Sequence, residues 1–170
     1  SGARIEMNKT NAQRLLESKK IPYRATVYDE SGKFHSAEDA AALIGAPLES
    51  VYKTLVVLQE APRAKPLLVM VPSTREIDLK ALARSLGEKK MRMATQREAE
   101  QLTGLQVGGI SALALLNRGF DVCIDRSALT LEEIHISGGA RGMDIALRVS
   151  DLIELTRART VQVTASAGTD

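Results

Sequence analysis

Short helices with marked starts and stops most constrain what this chain can fold into. A Ser, Thr or Asp precedes each segment whose apolar residues recur at helical spacing, and in three cases a residue able to complete a capping box follows three positions later. A glycine suited to end a helix follows most of these segments. The predicted starts are Thr10, Ser36, Asp78, Thr95 and Ser150, and the predicted stops are Gly45, Gly87 and Gly104. The sequence therefore predicts five short helices, the first over about residues 10–19.

Short apolar or alternating stretches between the helices are predicted to be strands. They cover residues 23–28, 51–58, 67–71, 120–125, 133–137 and 143–149. Helices and strands alternate early in the chain, whereas strand follows strand after about residue 105. This order predicts an α/β fold of mixed (α+β) character, with a mixed β-sheet flanked by helices.

The length of 170 residues fits one domain, which we place at residues 10–160. Residues 1–9, which begin Ser-Gly-Ala, are interpreted as a tag remnant and a disordered N-terminus, and residues 161–170 as a loosely attached tail. No apolar run approaches the roughly 18 residues of a membrane span, and no signal-peptide segment is recognisable. A cytoplasmic protein is expected.

Charge neither requires nor excludes an RNA partner. The formal net charge of +2 is too small to indicate a constitutive duplex binder. Residues 89–92 (KKMR) and the pair Arg157 and Arg159 could form local basic patches, or they could be ordinary solvated surface.

Familiar catalytic clusters are missing from the sequence. One cysteine, Cys123, lies in an apolar run and is interpreted as a buried small side chain and not as a nucleophile. Two histidines are too few for a metal-ligand cluster, and no Ser/His/Asp arrangement is recognisable. The sequence predicts chemistry without a metal or an organic cofactor.

Lys53 is the most unusual residue of the apolar segment 51–57 (VYKTLVV). If the strand includes it, alternation places it on the face of Leu55 and Val57. A buried ammonium then needs an anionic partner, loss of its proton or a place in a solvated cleft. The alternative is a strand that begins at Thr54 and leaves Lys53 in an exposed loop.

Two glycine-rich loops are the other candidate sites. Residues 104–111 (GLQVGGIS) and 137–144 (SGGARGMD) contain paired glycines that let backbone N–H groups approach a ligand, and the second loop ends in a carboxylate. Neither has the spacing of the dinucleotide fingerprint. Ordinary β-turns would also explain either loop alone.

The ordered set formed by YKT at 52–54, VGGIS at 107–111 and SGGxRGxD at 137–144 resembles the three signatures of the YbaK/EbsC and prolyl-tRNA synthetase editing-domain family. The likeness runs from about residue 10 to 155. It implies a strongly curved mixed sheet and a freestanding, trans-acting deacylase that hydrolyses the ester between a small amino acid and transfer RNA. That amino acid would be Ala, Cys, Ser or Thr, carried on tRNA(Pro) in particular. The implied partners are the acceptor end of aminoacyl-tRNA and prolyl-tRNA synthetase in trans.

The resemblance also implies roles for particular residues. Lys53 matches the lysine most closely tied to activity, and it could bind a phosphate or the ester oxygen. Backbone N–H groups around the first loop could hold the ester, and Asp144 could bind the α-ammonium or merely cap its turn. The implied catalytic set is Lys53, Gly108, Gly109, Ile110 and Asp144. The implied substrate-binding set is Tyr28, His35, Ser111, Ser137, Gly138, Gly139 and Arg141.

Several residues keep two interpretations. His35 could line the pocket or be an exposed loop residue, and Ser111 could bind substrate or cap its own turn. His135 alternates against Ile134 and Ile136 and is expected to make a structural hydrogen bond on the opposite face. Met143 could be a pocket wall or core. The whole chain could also be a non-catalytic binding or regulatory module with the same pocket, or a protein-interaction domain.

Overall fold

The computed structural model of the chain describes residues 8–164. The helices are α1 (Asn11–Ser18), α2 (Ala37–Ile44), α3 (Leu79–Leu86), α4 (Gln96–Thr103) and α5 (Val149–Thr156). The strands are β1 (Arg24–Val27), β2 (Tyr52–Gln59), β3 (Leu67–Pro72), β4 (Met91–Met93), β5 (Asp121–Asp125), β6 (Glu133–Ser137), β7 (Met143–Arg148) and β8 (Arg159–Val161). Short 3₁₀ turns cover Leu48–Ser50 and Arg126–Thr130. Within residues 8–164, no helix is long and apolar enough to cross a membrane.

Local capping fixes four of the five helix starts, as predicted. The side chains that accept a hydrogen bond from the backbone N–H three positions later are those of Thr10, Ser36, Asp78 and Thr95. The start predicted at Ser150 is wrong, because α5 begins at Val149 directly after β7. Val149 is buried and its N–H donates to the carbonyl of Glu132, so packing sets this boundary.

The strands form two sheets, which confirms the mixed α/β fold. In the five-stranded sheet, ordered β4-β2-β3-β5-β8, the first three strands run antiparallel, and β5 and β8 run parallel to β3. The other sheet, ordered β1-β7-β6, is antiparallel throughout. A parallel bridge between Val51 and His135 joins the two sheets beside the first residue of β2.

Both faces of the five-stranded sheet are buried. Alternation in β2 sends Tyr52 and Val56 to a core shared with the three-stranded sheet, α1 and α5, and Val57 to a second core beneath α3. Leu82 of α3 is fully buried in the second core. Cys123 lies there too, and burial raises the pKa of its thiol to about 11, which fits the predicted buried side chain and not a nucleophile.

The packed chain continues beyond the predicted domain boundary at residue 160. β8 pairs with β5 through Val161, and Val163 and Thr164 are also buried. The buried carboxylate of Asp125 accepts hydrogen bonds from the Val163 N–H at 3.1 Å and the Thr164 hydroxyl at 3.2 Å. Residues 161–164 are therefore part of the domain and not a tail. The expectations for residues 1–7 and 165–170 lie outside the described residues.

Candidate active site

A cleft of about 350 Å³ opens where the two sheets meet. This volume lies in the range of small-molecule sites in proteins. Its walls come from β2, from β6 and β7, from α2 with the segment before it, and from the first glycine-rich loop. The lining residues are Tyr28, Phe34, His35, Ser36, Ala37, Ala40, Ile44, Val51, Tyr52, Lys53, Thr54, Leu55, Ser73, Val107, Gly108, Ile110, Ile136, Ser137, Met143 and Asp144. The sequence-distant motifs around Lys53, Gly108 and Asp144 thus meet at one site.

Lys53 lies within β2 and lines this cleft. β2 begins at Tyr52, and Lys53 pairs with Val71 of β3, so the alternative of a strand that begins at Thr54 is wrong. The side chain is half-buried. None of the salt bridges within residues 8–164 uses its ammonium. Lys53 therefore presents its ammonium to the solvated cleft, which is one of the three environments that a lysine within the strand would need.

The first glycine-rich loop offers some, but not all, of the predicted backbone donors. The Gly109 N–H already donates to the Gln106 carbonyl at 2.7 Å. Within residues 8–164 the N–H groups of Gly108 and Ile110 have no hydrogen-bond partner, and both residues line the cleft. Of the three predicted donors, Gly108 and Ile110 remain available and Gly109 does not.

Close approach of the two glycine-rich loops explains why Gly109 is a glycine. A Cβ at this position would lie 2.8 Å from the backbone N of Arg141 and 3.0 Å from the carbonyl carbon of Ala140. Gly108, with φ of +93°, would place a Cβ 3.0 Å from the ring of Phe34. The loops therefore pack against each other and against the segment that carries Phe34.

Arg141 joins these loops and is not on the cleft wall, in contrast to the predicted substrate contact. Its Nε donates to the Val107 carbonyl at 2.7 Å, and its guanidinium lies 5.8 Å from the centre of the Phe34 ring. A second, longer hydrogen bond reaches the Gly32 carbonyl at 3.5 Å. These contacts leave Arg141 as a structural link behind the cleft wall.

Three other predicted substrate contacts also lie behind the wall. Ser111 is fully buried, and its Oγ accepts from the Ala114 N–H at 3.4 Å, so it caps its own turn. The Gly138 carbonyl accepts from the Thr10 hydroxyl at 2.6 Å, and the Gly139 N–H donates to Ser137 Oγ at 3.2 Å. Of the predicted residues in the second loop, Ser137 and Asp144 line the cleft.

Tyr28 and His35 line the cleft on the side of α2. Their rings form an edge contact with centroids 5.7 Å apart, and His35 Nε2 lies 2.5 Å from Asp29 Oδ2. The hydrogen bond from His35, with others from Ser31, holds the pKa of Asp29 well below its ordinary value. Burial raises the pKa of the Tyr28 phenol, and the nearby Asp144 carboxylate adds to the effect. His35 is therefore a cleft residue and not an exposed loop residue.

The side chain of Asp144 is hydrogen-bonded to His135, for which the sequence predicted only a structural role. It is the second residue of β7 and is 4% exposed, and its Oδ2 lies 2.6 Å from His135 Nδ1. Burial raises the pKa of the Asp144 carboxyl, while the hydrogen bond and charge of His135 oppose that rise. The turn-capping alternative for Asp144 is wrong. Met143, beside it, both lines the cleft and packs in the core.

The arrangement combines three kinds of polar group around a small volume. The Lys53 ammonium suits a phosphate or a developing oxyanion, the two N–H groups suit a carbonyl oxygen, and the Asp144 carboxylate suits an ammonium. Aliphatic and aromatic side chains supply the rest of the wall. Phe34, one of two phenylalanines in the chain, also lines the cleft, a position that no sequence motif predicted.

The residues of both predicted basic patches are absent from the cleft lining. The Lys90 carbonyl accepts from the Glu60 N–H just beyond the end of β2, and Arg159 lies on β8, an edge strand separated from β2 by β3 and β5. β2 continues from Leu55, its last residue on the cleft wall, to Gln59, which is roughly 13 Å at the usual strand rise. The Arg92 guanidinium is engaged in a salt bridge with Glu98. No patch charge contributes directly to the cleft.

Comparisons with known proteins agree with this geometry. The family model described as "Aminoacyl-tRNA editing domain" matches residues 32–155. The protein named "Putative Cys-tRNA(Pro)/Cys-tRNA(Cys) deacylase EbsC" from Enterococcus faecalis is 32% identical over 156 residues, which cover 92% of this chain and 93% of that protein.

Solved structures share the fold. A hypothetical protein superposes with a TM-score of 0.81 at 24% identity, covering 91% of this chain and 99% of its own. The structure described as a "putative trans-editing enzyme for prolyl tRNA synthetase" gives a TM-score of 0.78 at 24% identity, covering 92% of this chain and 96% of its own. From the matched family model and the identity to EbsC, we conclude that the chain belongs to the aminoacyl-tRNA editing domain family.

Proposed function

We propose that this chain is a trans-editing hydrolase that removes a small amino acid from mischarged tRNA by cleaving the ester to the terminal adenosine. One observation chiefly supports the proposal: Lys53 and Asp144 line the same small cleft, beside two backbone N–H groups that have no hydrogen-bond partner within residues 8–164. A cation, neutral donors and an anion complement the phosphate, ester carbonyl and α-ammonium of an aminoacyl-adenosine end. A pure scaffold would not need this set.

In the proposed reaction, water attacks the ester carbonyl carbon and the ribose oxygen leaves with a proton, so that a free amino acid and an intact tRNA result. An aminoacyl ester is already activated, so orientation and oxyanion stabilisation supply the catalysis. Lys53 binds the terminal phosphate or the ester oxygen. The N–H groups of Gly108 and Ile110 stabilise the oxyanion, and Asp144 binds the α-ammonium. The neighbouring ribose hydroxyl orients the water.

Cysteine is the proposed first substrate among the small amino acids. The name of the E. faecalis relative specifies Cys-tRNA(Pro) and Cys-tRNA(Cys). Tyr28, His35 and Met143 line the cleft, and its volume of about 350 Å³ favours a small side chain. Alanine, serine and threonine are the alternatives, with tRNA(Pro) as the proposed carrier.

The proposed setting is the cytoplasm, with aminoacyl-tRNA as ligand and prolyl-tRNA synthetase as a partner in trans. The cleft contacts only the acceptor end. The body of the tRNA would meet the basic patches around Lys90 and Arg159, so its binding is expected to be weak and sensitive to salt. An affinity unchanged between low and physiological salt would remove these patches from the proposal.

A deacylation panel tests the function. The wild-type chain is mixed with tRNA(Pro) carrying labelled Cys, Ala, Ser, Thr or Pro, and release of the amino acid is followed with no acceptor present. We expect release of Cys well above the uncatalysed rate and no release of Pro. Tight binding without release of any amino acid would instead identify a binding module and reject the proposal.

A further inference from the structure

Four charged side chains form a row across the three-stranded sheet and end at the cleft. Arg24 of β1 makes two hydrogen bonds to the carboxylate of Glu133 on β6, at 2.6 and 2.7 Å. Glu133 Oε1 lies 3.8 Å from His135 Nε2, and His135 Nδ1 lies 2.6 Å from Asp144 Oδ2 on β7. Charges of opposite sign therefore alternate from the protein surface to the cleft wall whenever His135 is protonated.

The strand register makes this row possible. Ala146, at the centre of the sheet, is paired with Arg24 on one side and His135 on the other, so all three share a face. Asp144 lies two residues before Ala146 and on the same face, beside Ser137. Because Ala146 is small, the long side chain of Arg24 can cross β7 to reach the far strand. Ile134 and Ile136 point into the core on the other face.

The two oxygens of the Asp144 carboxylate have different surroundings. Oδ2 is bonded to His135, which is 7% exposed. Oδ1 has no hydrogen bond within residues 8–164, and the residue lines the cleft. Every buried side-chain oxygen and nitrogen among those residues has a partner, so Oδ1 without one must have access to the open cleft. One oxygen is thus fixed in the protein and the other is available to a ligand.

We propose that His135 is a positioning residue, which keeps Asp144 ionised and turns its free oxygen toward the α-ammonium of the aminoacyl ester. The inference rests on the proposed deacylase function and extends it to a residue that does not touch the substrate. A neutral carboxyl group in the same place would hold an ammonium much more weakly, because the strong form of this contact needs an ionised acceptor.

The charges around Asp144 determine what loss of His135 would do. Burial raises the pKa of the Asp144 carboxyl, His135 and Arg24 oppose that rise, and Glu133 adds to it. The Asp144 carboxylate is close enough to Tyr28 to raise the pKa of its phenol, and Lys53 lines the same cleft. Without His135 the largest opposing influence disappears, so Asp144 takes up its proton at a higher pH. In a variant without His135, the acidic side of the pH profile of kcat/KM should then move to higher pH.

The test compares two substrates, Cys-tRNA(Pro) and its N-acetyl derivative, which lacks the α-ammonium. The wild-type chain should prefer the free amine. Asp144→Asn should reduce that preference about tenfold to a hundredfold, the usual range for a charge-assisted hydrogen bond. His135→Leu should reproduce most of the loss and shift the acid limb upward. A purely structural His135 would instead lower kcat/KM equally for both substrates, with no shift, and that result would overturn the inference.

Two isosteric variants keep the test decisive if His135→Leu does not fold. An asparagine amide lies near the position of Nδ1 and a glutamine amide near that of Nε2. His135→Asn should therefore retain much of the preference for the free amine, and His135→Gln should lose it. Equal preferences in the two variants would overturn the inference. Absence of Cys release by the wild-type chain would refute the proposed function itself, whereas release with an unchanged preference in His135→Gln refutes only the role of His135.

Discussion

Replacement of Gly142 by alanine should loosen the wall that carries Tyr28. Gly142 has φ in the left-handed region at +79°, and a Cβ there would overlap the Asp29 carbonyl oxygen, so the backbone must move. The Gly142 carbonyl accepts from the Tyr28 N–H at 2.8 Å and from the Asp29 N–H at 3.3 Å. The left-handed conformation costs an alanine about 1–2 kcal/mol, and each weakened hydrogen bond about 1 kcal/mol. We expect Gly142→Ala to lower the free energy of unfolding by about 3 kcal/mol.

Gly119→Ala is the matched control, because Gly119 has φ of +87° but no atom of the described part of the chain lies within 4 Å of the added Cβ. The control should lose only the conformational contribution of about 1–2 kcal/mol. Urea unfolding at equilibrium measures both variants, and single-turnover deacylation should be slowed in Gly142→Ala alone. Equal stabilities and equal rates for the two variants would refute the reasoning that the Gly142 turn holds this wall.

Three further predictions concern other parts of the molecule. Asp125→Ala should lower the free energy of unfolding by about 3 kcal/mol in urea, because it leaves the buried Val163 N–H without its acceptor, and a loss below about 1 kcal/mol would contradict this. The hydrogen bond from Arg92 lowers the pKa of the Glu98 carboxyl to about 2. As the pH falls below about 4.5, Glu98 is protonated in the unfolded chain before it is protonated in the folded chain, so the folded state loses stability until the pH reaches about 2. Glu98→Gln should flatten that part of an acid titration of stability, and an unchanged slope would show that the pair contributes nothing. The exposed ring of Phe34 is expected to stack on a terminal base of the tRNA. Phe34→Ala should therefore raise KM for aminoacyl-tRNA about tenfold, while the free energy of unfolding stays within about 0.5 kcal/mol of wild type. An unchanged KM would exclude this contact.

The parts of the fold that follow local rules could be predicted from the sequence. Thr10 and Thr95 cap helices through neighbours three residues away, so the pattern alone locates those starts. Alternation alone left Lys53 either in a strand or in a loop before Thr54; the resemblance at YKT favoured the strand, and the structure places Lys53 within β2. The start of α5 and the burial of Val163 depend on contacts with residues distant in sequence. A local sequence pattern does not predict such contacts. Packing overrode the local signal at Ser150.

The candidate site was predictable in its motifs but not in which atoms face the cleft. The ordered resemblance brought Lys53 and both glycine-rich loops together, and the structure shows them around one volume. Which glycines line that volume depends on how the two loops pack. Gly108 lines the cleft, whereas the Gly138 carbonyl accepts a hydrogen bond from Thr10. The contact between His135 and Asp144 depends on the register of β6 against β7, which sequence alternation does not give.

The most direct test of the central claim is single-turnover deacylation of Cys-tRNA(Pro) by Lys53→Ala, with exposed Lys80→Ala on α3 as the matched control. Loss of one charge-assisted contact in the cleft should slow the reaction about a hundredfold, equivalent to about 3 kcal/mol, while the free energy of unfolding stays within about 0.5 kcal/mol of wild type. Lys53→Arg should restore little, because a planar guanidinium does not occupy the space of a compact ammonium. Lys80→Ala should react at the wild-type rate. A Lys53→Ala rate close to wild type would contradict the account.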